Sequence, residues 1–238
     1  MKDVSTSAQR QMFKGPTGVP SRAAIRTLLL AGVGAAVLLA GCNVTLGDRK
    51  LPEDPYGWHG VGKVVTLVAP GGNAELRRGF SEMARGSTYF GALHLDRESA
   101  SYAYTRNWNS IEAAISISAA VCTEDAGRPC VLAALVLPEA LPSTTRRAKG
   151  FSVQTLNQFR LLYAEKQASG LWGAYAISPL ASQGFSAQEQ TEKAARASAL
   201  RNCEFRLQAE LAQIGPVGSL AAARGGFDRC EIVHVTSP

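Results

Sequence analysis

The sequence predicts an α+β fold of two tandem related repeats, each a helix, a β-hairpin, a second helix and a closing strand, behind an N-terminal leader. Three observations predict it. The plan of Tyr89–Val136 returns in degraded form in Leu171–Cys203, which Cys230–Val235 closes. An aromatic-Gly-Ala triplet opens each copy, Phe90-Gly91-Ala92 and Trp172-Gly173-Ala174, and a cysteine follows each at nearly equal spacing, Cys122 and Cys203. Within each copy the apolar residues pass from alternation to helical spacing and then to a short apolar run, which reads as hairpin, helix, strand.

The leader comes first. Arg22 and Arg26 precede an uncharged apolar run, Thr27–Gly41. It suits the core of a signal peptide and falls short of the ~20 residues that a membrane-spanning helix needs. It ends Leu39-Ala40-Gly41-Cys42, which looks like a bacterial lipobox: small residues at the cut, then a cysteine whose thiol takes diacylglycerol. Residues 1–41 therefore read as a lipoprotein signal peptide and Cys42 as the lipidation site; an ordinary signal with an incidental cysteine is the rival reading. A start at Met12 would bring the leader to a usual size. Asn43, where Asp would retain a protein at the inner membrane, favours the periplasmic face of the outer membrane by resemblance to enterobacterial sorting. Residues 42–62, polar and rich in Gly and Pro, read as a flexible tether.

The first repeat spans 63–138. Lys63–Ala69 is β-branched and apolar and stops at Pro70-Gly71-Gly72, a strand and a turn. Asn73 caps a helix to Ala84 with Leu76, Phe80 and Met83 on one side. Thr88–Leu95 and Ala100–Arg106 form a hairpin around the turn Asp96–Ser99. Asn109-Ser110-Ile111-Glu112 resembles a capping box, with Asn as the cap, for a helix to Cys122 whose stripe is Ile111, Ile115, Ser118 and Cys122. Cys130–Leu137, unbroken and apolar, reads as a buried strand.

Residues 139–150 read as a linker, and 151–238 as the second repeat. Ser152–Ala168 is an amphipathic helix facing inward through Leu156, Phe159 and Tyr163. Leu171–Ser178 and Gln183–Phe185 form a shorter hairpin, after which Ser186 and Glu189 cap a helix that runs past Cys203 towards Leu211. Ser219–Arg224 adds a helical piece before the strand at Cys230.

Charge and cysteines bound the chemistry. The leader holds Lys2, Arg10, Lys14, Arg22 and Arg26 against Asp3 alone, so most of the formal +6 leaves with it. Nucleic-acid binding loses its support, because such affinity rests on a concentrated basic surface. Arg146, Arg147 and Lys149 are the one tight basic cluster, and a solvated linker accounts for them. Export allows disulfides. Four cysteines besides Cys42 allow three pairings, and the repeat plan prefers Cys122 with Cys130 and Cys203 with Cys230. A metal site fails on spacing, with no Cys-x-x-Cys pair.

Catalytic motifs are weak. Gly57–Lys63 fits GxxxxGK, but Val64 stands where Ser or Thr must hold magnesium, and a strand follows in place of a helix. There is no Gly-x-Ser-x-Gly elbow and no His-Glu-x-x-His. His94 and His234 both fall in strands and stay open as a pair, against the plainer reading of ordinary strand histidines; Asp96 and Glu98 resemble a carboxylate pair but lie at a turn, where acids are common. Tyr89, Phe90, Tyr102, Tyr104, Trp108 and Trp172 gather at the hairpins. They are either a binding surface, of which Tyr89, Tyr102, Tyr104, Trp108 and Trp172 are the candidates, or hairpin packing.

Taken together, aromatic-Gly-Ala strand, hairpin, small-residue helix ending in Cys, and Cys before an apolar strand resemble a bacterial exported domain family of unknown function. TYFGALHLD, NSIEAAISISAAVC, PCVLAALVLPEAL and WGAYAISP are similar to small exported alphaproteobacterial proteins that carry the label 5-aminolevulinate synthase. The resemblance covers Lys63–Val235, and the second repeat departs from it in lacking a tight cysteine loop. The label does not transfer: synthases of that name are cytoplasmic pyridoxal-phosphate enzymes about twice this length with a Schiff-base lysine, and this chain has no counterpart to that lysine. The expectation is a lipid-anchored envelope protein that works as a non-catalytic interaction module, without cofactor or metal, contacting the membrane through Cys42 and an envelope protein or the cell wall through its hairpins. The alternative is a periplasmic enzyme or small-ligand binder.

Overall fold

The computed structural model describes residues 55–57, 59–167 and 170–238. The leader, Cys42 and most of the tether lie outside the described residues. The described part is mixed α and β, with five α-helices and two antiparallel sheets.

The first sheet contains β1 (Gly62–Thr66), β2 (Phe90–Leu95), β3 (Tyr102–Trp108) and β4 (Val131–Pro138) in the order β1-β4-β2-β3. Asn73 caps α1 (Ala74–Ala84), its side chain accepting from the amides of Glu75 and Leu76. The alternation of β2 splits its side chains between two faces. Leu93 and Leu95 meet Leu76 and Met83 of α1, while Phe90 and Ala92 meet α2 (Ile111–Ala126) through Ala113, Ala114 and Ile117. The sheet is thus covered by a helix on each side.

The second sheet contains β5 (Trp172–Ile177), β6 (Gln183–Glu189) and β7 (Glu231–Thr236) in the order β6-β5-β7. Its two faces differ in side-chain size. Tyr175 and Ile177 pack on Leu156 of α3 (Val153–Gln158) and on Phe159 and Tyr163 of the π-helical turn Phe159–Ala164 that continues it. Ala174 and Ala176 pack on Ala195, Ala199 and Cys203 of α4 (Glu192–Gln213). Small residues on both partners let α4 sit close to the strands. Gly184 of β6 marks the closest approach: a Cβ there would run into the backbone of Ala199 and Cys203. Gly184→Ala is therefore expected to cost about 1–3 kcal/mol through overpacking that no side-chain rotation relieves, measurable as a lower urea midpoint.

A last helix, α5 (Gly215–Gly225), lies against α2 and α4 and carries the core across the molecule. Leu180, Leu207, Ile214 and Ala222 share one buried cluster with Ala113, Ile117 and Val121 of α2. Two disulfides, Cys122–Cys130 and Cys203–Cys230, tie a helix to the strand that follows.

Three local expectations change. The cap of α2 is Ser110, which accepts from the amide of Ala113, and not Asn109; Asn109 is drawn inward by partners remote in sequence. That helix also continues past Cys122 until Gly127, at φ 68°, closes it in a left-handed turn. Ser186 and Glu189 do not cap α4. They stay in β6, where Ser186 Oγ donates to the Glu189 carboxylate at 2.6 Å, and Thr191 is the cap. The strand runs on because β6 holds one extra residue opposite Gly173, with Gln188 at φ 64°, a bulge that keeps the pairing of Trp172 with Glu189. The second hairpin is consequently as long as the first.

Candidate functional site

The two histidines singled out in the sequence are held apart, whereas the two acids share one arginine. His94 is 5% exposed, and its Nδ1 lies 2.9 Å from Ser118 Oγ. Ser118 donates its single proton to the carbonyl of Ala114 at 2.7 Å, so His94 Nδ1 carries the hydrogen and donates to Ser118. His94 and Ser118 are thus bonded to each other inside the fold, with Ser118 itself 1% exposed. His234 lies on the other sheet, its Nδ1 3.0 Å from Tyr163 Oη, so the two histidines form no pair. Asp96 and Glu98 both receive the Arg128 guanidinium, Asp96 through two contacts of 2.7 and 2.8 Å, and that ion pair latches the β2–β3 turn to the end of α2. Hydrogen bonds from Arg128 and Ser99 hold the Asp96 carboxyl well below the usual carboxylate range.

Burial pushes His94 down from 6.5 to about 4. The unfolded chain takes up the proton first, so His94 supports the fold fully above about pH 6.5, and that support drains away as pH falls towards 4. The expected loss is about 3 kcal/mol below pH 4. His234, depressed by its own burial, acts in the same direction. Urea midpoints measured between pH 7 and 4 check this, and the slope should flatten in His94→Gln.

Aromatic residues at the hairpins divide by burial. Tyr89 and Trp108, offered by the sequence as binding-surface candidates, are core residues at 0% and 3% exposure. Their place in a hairpin did not reveal the packing that covers them. Phe90 is buried with them. Tyr102, Tyr104 and Trp172 are half-buried. Tyr102 lies over Gly79 of α1, and its hydroxyl donates to Glu82 at 3.3 Å.

One half-buried carboxylate had no signal in the sequence. Glu210 of α4 accepts from the amide of Ala181 at 3.0 Å and the hydroxyl of Ser182 at 2.5 Å, which anchors the β5–β6 turn. Burial raises its pKa.

A cleft of about 400 Å³ opens where the two halves of the chain meet. Its walls come from the start of α2, from the segment 147–149, from Pro179 and from the chain leaving α5. Backbone bonds fix the first three: Ile111 donates to the carbonyl of Ala148, Gly150 to that of Asn109, and Asn109 to that of Leu180, at 3.1, 2.9 and 2.6 Å. The fourth wall depends on two glycines. Gly226 at φ 69° closes α5 in a left-handed turn, so that Phe227 donates back to the carbonyl of Ala222 at 2.8 Å. A Cβ on Gly225 would collide with the Phe227 ring. The rim is charged: Lys149 pairs with Glu231 at 2.7 Å and Arg147 with Glu112 at 3.5 Å, while Arg229 has no ion-pair partner among the described residues. Arg147 and Lys149 belong to the basic cluster 146–149 read as a solvated linker, and both line the cleft with Arg229. Tyr56 also donates to Glu231, at 3.1 Å.

Among the described residues, no three His, Cys, Asp or Glu side chains gather as a metal site, and no helix is long and apolar enough to cross a membrane. No family model, no curated protein and no solved structure matches the chain.

Proposed function

We propose that this chain is an exported lipoprotein of the bacterial envelope, anchored through Cys42 at the periplasmic face of the outer membrane, whose folded part is a non-catalytic binding module. One observation carries the non-catalytic reading. His94, His234, Asp96, Glu98 and Glu210 are each engaged in an internal hydrogen bond or ion pair, and none of them lines the cleft. The leader pattern ending in Leu39-Ala40-Gly41-Cys42 supports the anchor, and two disulfides suit an oxidising compartment. The partners are the membrane, through the anchor, and an envelope protein or the cell wall; nucleic acid is not among them.

The module is further read as two related repeats. Strands β4-β2-β3 and β7-β5-β6 share one order, both hairpins carry a bulge opposite the glycine of the aromatic-Gly-Ala triplet, and Asn107 and Gln188 take φ of 62° and 64° there. Each of these two side chains donates to a carbonyl near the preceding helix, Gly86 and Lys166, at 2.9 Å. Among the described residues, β1 and α5 have no counterparts.

Palmitate labelling of the full chain in its native envelope tests the anchor. Label and membrane association should both vanish in Cys42→Ala. Label retained in that variant, or a wild-type chain recovered in the cytoplasm, would overturn the reading.

A further inference from the structure

We infer that the cleft between the two halves binds a small organic anion with an apolar body, its carboxylate or phosphate group against Arg229 and its body against Phe227, Pro179 and Ala148. The inference rests on the reading of the chain as a non-catalytic module and names what the module holds.

Charge supplies the first argument. Arg147, Lys149 and Arg229 meet in one concavity, and two of them are offset by Glu112 and Glu231. The remaining cation is a guanidinium, whose fork of N–H donors matches the paired oxygens of a carboxylate or phosphate. At a concave site such a charge is screened less than on an open surface.

Construction supplies the second. Arg229 adjoins Cys230, whose disulfide to Cys203 ties that part of the chain to α4. Lys149 is held by the antiparallel bridge of its backbone to Ser110. The backbones that carry two cations distant in sequence are thus fixed by covalent and backbone constraints, so ordering on binding is confined to their side chains. The half-buried Phe227 ring forms an apolar wall, and the space exceeds what an inorganic ion fills.

The test titrates the full chain in detergent with phenyl phosphate, benzoate, inorganic phosphate and phenol, following amide shifts by NMR. Phenyl phosphate or benzoate should shift the amides of 109–111, 147–149 and 225–231, and the two arms tell which head group is preferred. Inorganic phosphate and phenol should each bind at least tenfold more weakly, since one lacks the body and the other the charge. Arg229→Gln should weaken the favoured anion about tenfold. Arg229 is exposed and unpaired among the described residues, so the substitution should leave the unfolding midpoint in place. Absence of shifts in these segments, equal binding of phenol, or unaltered affinity in Arg229→Gln with shifts elsewhere would overturn the site. Release of phenol from phenyl phosphate, by contrast, would overturn the non-catalytic reading and leave the site standing.

Discussion

Replacing Asn109 with alanine is expected to destabilise the protein by about 4 kcal/mol, more than any other single polar substitution proposed for this chain. Asn109 is 1% exposed at the junction of three segments. Its Nδ2 donates to the carbonyl of Ser178 at 3.1 Å, and its Oδ1 accepts from the amide of Ser152 at 2.9 Å and the hydroxyl of Thr155 at 3.0 Å. Alanine would strand the Ser178 carbonyl and the Ser152 amide where water does not reach, each orphan costing roughly 1–3 kcal/mol, while the Thr155 hydroxyl keeps Ser152 Oγ at 2.9 Å. Asn109→Asp keeps the acceptor and still loses, because a carboxylate turned towards the Ser178 carbonyl has no proton to give and is itself buried. Urea denaturation of both variants measures the effect. A loss under about 1 kcal/mol for Asn109→Ala would show that the junction is held without this side chain.

Removing Cys203–Cys230 as a pair of alanines should cost about 3.5 kcal/mol, against about 2.5 for Cys122–Cys130. The difference follows from the separations of 27 and 8 residues, since the longer loop restricts the unfolded chain more. Differential scanning calorimetry of both double variants provides the comparison. The order of the two losses is the discriminating result, and a larger loss at Cys122–Cys130 would contradict the loop argument. The longer bridge also neighbours Arg229, so its removal should loosen the cleft while leaving the first sheet intact.

The readable parts of this fold depend on neighbours a few residues apart. Asn73 before an apolar spacing of Leu76 and Met83 predicts α1, and the structure contains that cap and that buried face. Leu156, Phe159 and Tyr163 predict an inward face after Ser152, and all three are buried, although the helix widens into a π-helical turn that their spacing did not announce. The misreadings have a common origin. Asn109 is a plausible cap by its chemistry, but its amide side chain serves Ser178, Ser152 and Thr155 instead. Ser186 and Glu189 match a capping box and lie in a strand, because the bulge opposite Gly173 extends the pairing through them. Tyr89 and Trp108 flank a hairpin where exposed aromatics also occur, and only the packing around them makes them core.

Local pattern by itself determined the mixed α and β class, most element positions and cysteine spacings that suit the two bridges now present, because capping, periodicity and short-loop closure act within a few residues. The tertiary structure decided which polar groups are used up and which remain available. The bond of Glu210 to Ser182, the pairing of Asp96 and Glu98 with Arg128, and the lining of one cleft by Lys149 and Arg229 each join residues far apart in sequence. Such meetings follow from sheet order and helix docking, which no stretch of the chain encodes alone.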